Sequence, residues 1–198
     1  MAVKPIFKRP YLLQHAPIPA PLHGVNPRTV LGAKWWKDIR YDAYEANNRH
    51  CWACARRRNR LEAHECYEID YDQGIAEFTD VVALCSTCHH FIHSNRLVRM
   101  VQIGVYDVGI FNAVRGHGYH VLRQADLMPS PWARLNFEPD YILPDALRLA
   151  PFAAWNEWRM VIFGEEHYSK FADRAAHDAH YDQENLKALK RKNDDDTT

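Results

Sequence analysis

The chain has 198 residues, a length that suits one compact domain with extensions or two small domains. Hydrophobic residues make up 47% and charged residues 25%, which excludes both a disordered chain and a membrane protein. Lys plus Arg and Asp plus Glu balance at 25 each, so bulk charge cannot hold a nucleic acid and any such contact must come from a local patch.

The first ten residues include Lys4, Lys8 and Arg9 but no long apolar run, so no signal peptide is expected. No stretch approaches the roughly 18–20 apolar residues of a membrane span, and a cytoplasmic location is expected. Residues 1–28 hold Pro5, Pro10, Pro17, Pro19, Pro21 and Pro27 and predict an extended arm or flexible tail. Leu31, Trp35, Ile39 and Ala43 recur at helical spacing and predict a helix from Thr29 to Asn47, its aromatics packed in the core. Leu61–Ile69 and Ile75–Leu84 predict two strands around a turn at Tyr71–Gly74, where glycine allows positive φ. Ser86 is placed as the N-cap of a following helix that carries Cys88, His89, Phe91, Ile92 and His93.

Beyond that helix, residues 98–128 read as helical with a weak point at Gly116-His117-Gly118. Pro129, Pro131, Pro139 and Pro144 make 129–144 irregular. Leu147–Phe163 reads as a helix, with Trp155 and Trp158 on or near its buried face. From Gln183 the charged tail is expected to fray or be disordered. The chain thus divides into the arm 1–28, a cysteine–histidine module with its preceding helix at 29–97, a helical region at 98–182 and a charged tail at 183–198.

Four of the five cysteines form two C-x-x-C pairs, Cys51 with Cys54 and Cys85 with Cys88, and Cys66 is left over. In a reducing compartment this arithmetic favours a metal over disulfides. Each pair makes a tight knuckle, and two knuckles complete a tetrahedral zinc site. The long stretch between Cys54 and Cys85 is what an inserted β-hairpin needs. His89 and His93 lie one helical turn apart and point from one face. His64, on the first strand, meets them if the hairpin packs on the helix. Three imidazoles around a divalent ion leave positions open for water and phosphate oxygens. Arg56, Arg57, Arg58 and Arg60 follow the first knuckle and Arg96 follows His93. They read equally as phosphate contacts or as solvated loop residues.

Taken together, Cys51-x-x-Cys54, Leu61-Glu62-Ala63-His64-Glu65 and Leu84-Cys85-x-x-Cys88-His89-x-x-x-His93 resemble the HNH endonuclease family, a hydrolase class, over roughly residues 25–97. Asn26-Pro27-Arg28-Thr29 before a tryptophan-bearing helix resembles its phage and bacterial members. The resemblance implies an α+β fold. Its core is a treble-cleft ββα-metal module with two zinc knuckles, which the residue pattern outside it sets in mainly helical N- and C-terminal extensions. It implies metal-dependent cleavage of DNA by a phage or mobile-element protein in a bacterial host cell. On this pattern His64, His89 and His93 bind a second divalent ion such as Mg²⁺, Mn²⁺ or Ni²⁺. Glu65 stands where the family carries a histidine base, and Asp80 stands where it carries an asparagine.

Neighbours on a regular strand face opposite sides, so His64 and Glu65 serve one site only across a bulge or strong twist. Otherwise His64 is itself the base. Glutamate is a weaker base than histidine, with a reference pKa of about 4.3, unless its surroundings raise it. These substitutions also suit a non-cleaving module that binds a protein or nucleic-acid partner, for example a phage inhibitor of a host factor.

Overall fold

The computed structural model describes residues 6–148 and 153–195. In chain order the elements are α1 (Pro27–Ala46), β1 (Glu62–Asp70), β2 (Ile75–Leu84), α2 (Ser86–Ile92), α3 (Ser94–Gln102), α4 (Val108–Arg123), α5 (Pro131–Phe137), α6 (Asp145–Arg148), β3 (Arg159–Ile162), β4 (Glu165–Tyr168) and α7 (Arg174–Asp195). The architecture is mixed α and β, around one four-stranded sheet in the order β1-β2-β3-β4. None of its described helices is long and apolar enough to cross a membrane.

The β1–β2 hairpin is antiparallel, and Glu62 pairs with Leu84 at its open end. Its turn is set by Asp70, whose Oδ1 accepts from the backbone N–H of Asp72 and Gln73 at 3.0 and 2.9 Å. Gly74 takes φ +67° there, and a Cβ on it would meet Ala153 Cβ at 2.7 Å, so both conformation and close approach require glycine. Chain reversal at β2 leads directly into α2. The N-cap is Cys85 rather than Ser86, which is already helical, and no side chain caps the helix.

α1 starts from a reciprocal cap. Asn26 Oδ1 accepts from the Thr29 N–H at 3.0 Å, and Thr29 Oγ1 accepts from the Asn26 N–H at 3.1 Å. The expected single helix is broken at Gly32, which sits at φ 88° and kinks it. Two 3-10 turns, Pro10–Gln14 and Ala20–Leu22, lay the proline-rich arm along the protein by burying Leu12, Leu13 and Leu22. Its first five residues, Pro5 among them, lie outside the described ones.

Three readings of the C-terminal half need correction. The break among residues 98–128 falls at 103–107, while α4 runs unbroken through Gly116 and Gly118. Ser130 caps α5 within the segment expected to be irregular, its Oγ accepting from the Ala133 N–H at 3.2 Å with Pro131 at the first helical position. The helix expected over Leu147–Phe163 holds at Leu147 and Arg148, the end of α6, but gives way to a 3-10 turn at Trp155–Glu157 followed by β3, with 149–152 outside the described residues. Phe163 and Gly164, at φ 52° and 83°, form a two-residue hairpin turn into β4. β3 then pairs parallel to β2, which ties this half of the chain into the same sheet.

The charged tail is helical to Asp195, with an ion pair between Lys187 and Glu184 at 2.7 Å, and the last three residues lie outside the described ones. One apolar core joins the knuckles, β2, α2, α4 and α5 around Leu84, Phe91, Leu122 and Phe137. A second gathers Leu22, Val25, Ala76, Trp158, Met160 and Ile162 between the arm and β3. Trp158 is therefore core, as expected, although it lies between the 3-10 turn and β3 and not on a helix.

Candidate metal centres

Among the described residues, two groups of potential ligands converge with all their atoms within 4.8 Å: Cys51, Cys54, Cys85 and Cys88, and separately His64, His89 and His93. The first knuckle is held against the sheet by Trp52, whose N–H donates to the Ala83 carbonyl at 2.8 Å and whose indole donates to the Ala43 carbonyl at 3.0 Å. Ala55, at φ 57°, closes the knuckle through an N–H bond to the Cys51 carbonyl at 2.8 Å. The second knuckle spans the β2–α2 junction.

Cys54 and Cys85 bring their sulfurs to 3.9 Å. Zinc–sulfur bonds of about 2.3 Å at tetrahedral angles put sulfurs about 3.8 Å apart, so the donor set fits zinc. Hydrogen bonding among the sulfurs lowers the Cys54 thiol to about 5 and Cys85 further, while it raises Cys51 and Cys88. Four thiolates cannot share this space without a cation, and a divalent ion relieves that conflict. Cys66 stays apart from the cluster, buried in β1, and burial pushes its thiol up to about 12.

His64 comes from β1, His89 from α2 and His93 from the junction of α2 and α3, and their rings contact one another edge to face with centroids 4.6–5.5 Å apart. His64 is 6% exposed, and its Nδ1 is buried without a hydrogen-bond partner. Burial holds it neutral, well below the usual histidine range, and the neighbouring imidazoles add to that. Loss of solvation inside the cluster lowers His93 too, although its outer edge is exposed. Closely spaced imidazoles, two of them depressed by burial and one with an orphaned nitrogen, form a group that could hold a metal ion.

Two further residues touch this site that the cysteine and histidine motifs do not single out, and a third acts on Glu65. Glu62 accepts from His89 Nδ1 at 2.6 Å, which orients the ring and leaves Nε2 as the nitrogen that could bind an ion. Period-two alternation was the available signal, because Glu62 lies two residues before His64 on the same strand face. His15, at the end of the first 3-10 turn, stacks on His64 with centroids 5.7 Å apart, and no spacing rule reaches it from the arm. Arg28, at the start of α1, acts on the Glu65 carboxyl.

Glu65 and Asp80 do not join the converging group. The β1–β2 ladder is regular from Glu62 to Cys66, and its bulge falls between Cys66 and Tyr67, beyond the His64–Glu65 pair. Burial raises the Glu65 carboxyl, against a smaller opposing pull from His89 and Arg28. Asp80, opposite Cys66, is exposed, caps the Val81 N–H at 2.7 Å and faces Arg9 at 3.9 Å. Arg56, Arg57, Arg58 and Arg60 are exposed on the loop between the first knuckle and β1. Arg96 is exposed on α3, and its charge reaches His93, as that of Arg60 reaches Glu62. No protein family, curated protein or solved structure matches the chain.

Proposed function

We propose that the protein is a metal-dependent endonuclease of the HNH type that hydrolyses DNA phosphodiester bonds at the His64–His89–His93 site, with zinc held by the four cysteines as a structural ion. The observation that carries this reading is the convergence of three imidazoles from a β-hairpin, the helix that follows it and that helix's C-terminal cap, the same helix that carries Cys88 of the four-thiolate site. A divalent ion bound there supplies charge stabilisation for the phosphate and the leaving oxygen. His64, His89 and His93 bind it, and Glu62 keeps the His89 ring in register. Arg96 acts on His93, Arg60 on Glu62 and Arg28 on Glu65, positive charge in an otherwise neutral protein and a local patch of the kind a phosphate backbone needs. Glu65 is the carboxylate that the family pattern offers as proton acceptor, and its burial moves it in the direction a base requires.

A second reading rests on Asp80, which is engaged with Arg9 and lies outside the cluster. It makes the protein a non-cleaving zinc module that binds a protein or nucleic acid. Supercoiled plasmid incubated with Mg²⁺, Mn²⁺, Co²⁺ or Ni²⁺ decides between them. Nicking by the wild type that is lost in both zinc-loaded His64→Ala and Glu65→Ala supports the nuclease and a role for Glu65. Loss in His64→Ala alone leaves Glu65 structural. A folded, zinc-loaded protein that cleaves with none of the metals leaves the binding module.

A further inference from the structure

Helix α4 carries Gly116-His117-Gly118 at its centre, two residues that weaken a helix around one that need not. The two glycines are not equivalent. A Cβ at Gly116 would meet nothing within 4 Å, whereas one at Gly118 would meet the Phe91 ring at 2.0 Å. Phe91 belongs to α2, is fully buried and stacks on Phe137 with centroids 5.1 Å apart, so it cannot give way. Gly118 therefore lets the backbone of α4 lie directly on α2. That approach brings the half-buried His117 to the zinc cysteines: its Nε2 is 3.4 Å from Sγ of Cys88, which α2 also carries.

A zinc ion with four thiolates keeps a net double negative charge, and each sulfur retains lone pairs after it binds the metal. An N–H donor draws charge from such a sulfur and holds it in place. We propose that His117 is a fifth residue of the zinc centre, which donates its Nε2–H to the Cys88 thiolate so that retention of the ion depends on the docking of α4. The zinc would thus be held jointly by the knuckles and by a helix far along the chain. This assignment concerns the cysteine site alone and stands whether or not the histidine site cleaves DNA.

The test uses the full chain loaded with zinc or with Co²⁺, and follows transfer of zinc to a chromogenic chelator. His117→Phe keeps a ring without a donor, and His117→Ala is read beside it so that the result does not depend on fitting the phenyl group. Both are expected to lose zinc about 10-fold faster or more, the usual scale for removing the partner of a metal ligand. Their thiolate-to-cobalt charge-transfer band should move to longer wavelength. His117→Gln, which retains an N–H donor, is expected to restore most of the retention, and exposed His120→Ala on the same helix to behave as wild type. Wild-type release and an unmoved band in His117→Phe and His117→Ala would overturn the proposal. Acceleration by His120→Ala to the same degree would overturn it too, because the effect would then be a loosening of α4.

Discussion

Glu62 and His89 are joined by a 2.6 Å hydrogen bond between carboxylate Oε2 and imidazole Nδ1. A carboxylate only accepts, so the proton resides on Nδ1 and the lone pair on Nε2 faces away from Glu62. Glu62→Gln removes the charge and the preference for that tautomer. It is expected to weaken binding of Co²⁺ or Mn²⁺ at the histidine site 10–100-fold, read by calorimetric titration of protein whose zinc content is unchanged. Equal affinity in the variant would remove Glu62 from the site.

The glycines of α4 should respond to alanine with opposite signs. Gly118→Ala forces a methyl into the Phe91 ring and should destabilise the fold by about 1–3 kcal/mol. Gly116→Ala adds helix propensity in open space and should stabilise by up to about 1 kcal/mol. Urea denaturation midpoints at constant slope check both.

Acid should act on the fold through His64. Its folded pKa is depressed, so below about 6.5 the unfolded chain takes up a proton that the buried ring refuses. Stability is therefore full above that pH and falls as the pH drops toward the folded value, by up to about 1.4 kcal/mol per pH unit. His64→Asn has no such proton to take up. Melting temperatures of the zinc-loaded proteins between about pH 7.5 and pH 5.5 should fall less steeply for the variant. Parallel slopes would mean that the ring titrates normally.

Thiol chemistry separates Cys66 from the other cysteines. In the zinc-loaded protein at pH 8, burial keeps Cys66 protonated and the ion occupies the remaining four, so a disulfide reagent should find almost no fast-reacting thiol. Chelation should release all five together with a loss of ellipticity, because the four thiolates, which no disulfide joins, then repel one another in the small module that the ion holds together. A single fast thiol before chelation would place Cys66 outside the core.

The cysteine–histidine module was legible because short-range rules govern it. The C-x-x-C spacing, the turn at Asp70–Gly74 and the single turn between His89 and His93 are all local, and β2 runs over the residues its pattern predicts. The arm and the C-terminal half depend on contacts between distant parts of the chain. His15 reaches His64 only because Leu12 and Leu13 are buried. Arg159–Ile162 takes strand form because β2 offers it a partner, and the polar α7 persists where His177 meets His23 at 2.8 Å. Gly116-His117-Gly118 shows the limit of composition most directly. Propensity alone reads it as a break, yet the close approach of α4 to α2 makes one of its glycines indispensable.

The anchoring of the arm also orders events during synthesis. Gln14 donates to the Met128 carbonyl across 114 positions and His23 meets His177 across 154. These arm residues thus wait for partners translated more than a hundred residues later, and closing such long loops slows folding. Until then the stacking partner of His64 is absent, and the histidine site is open on the side that His15 covers in the finished protein.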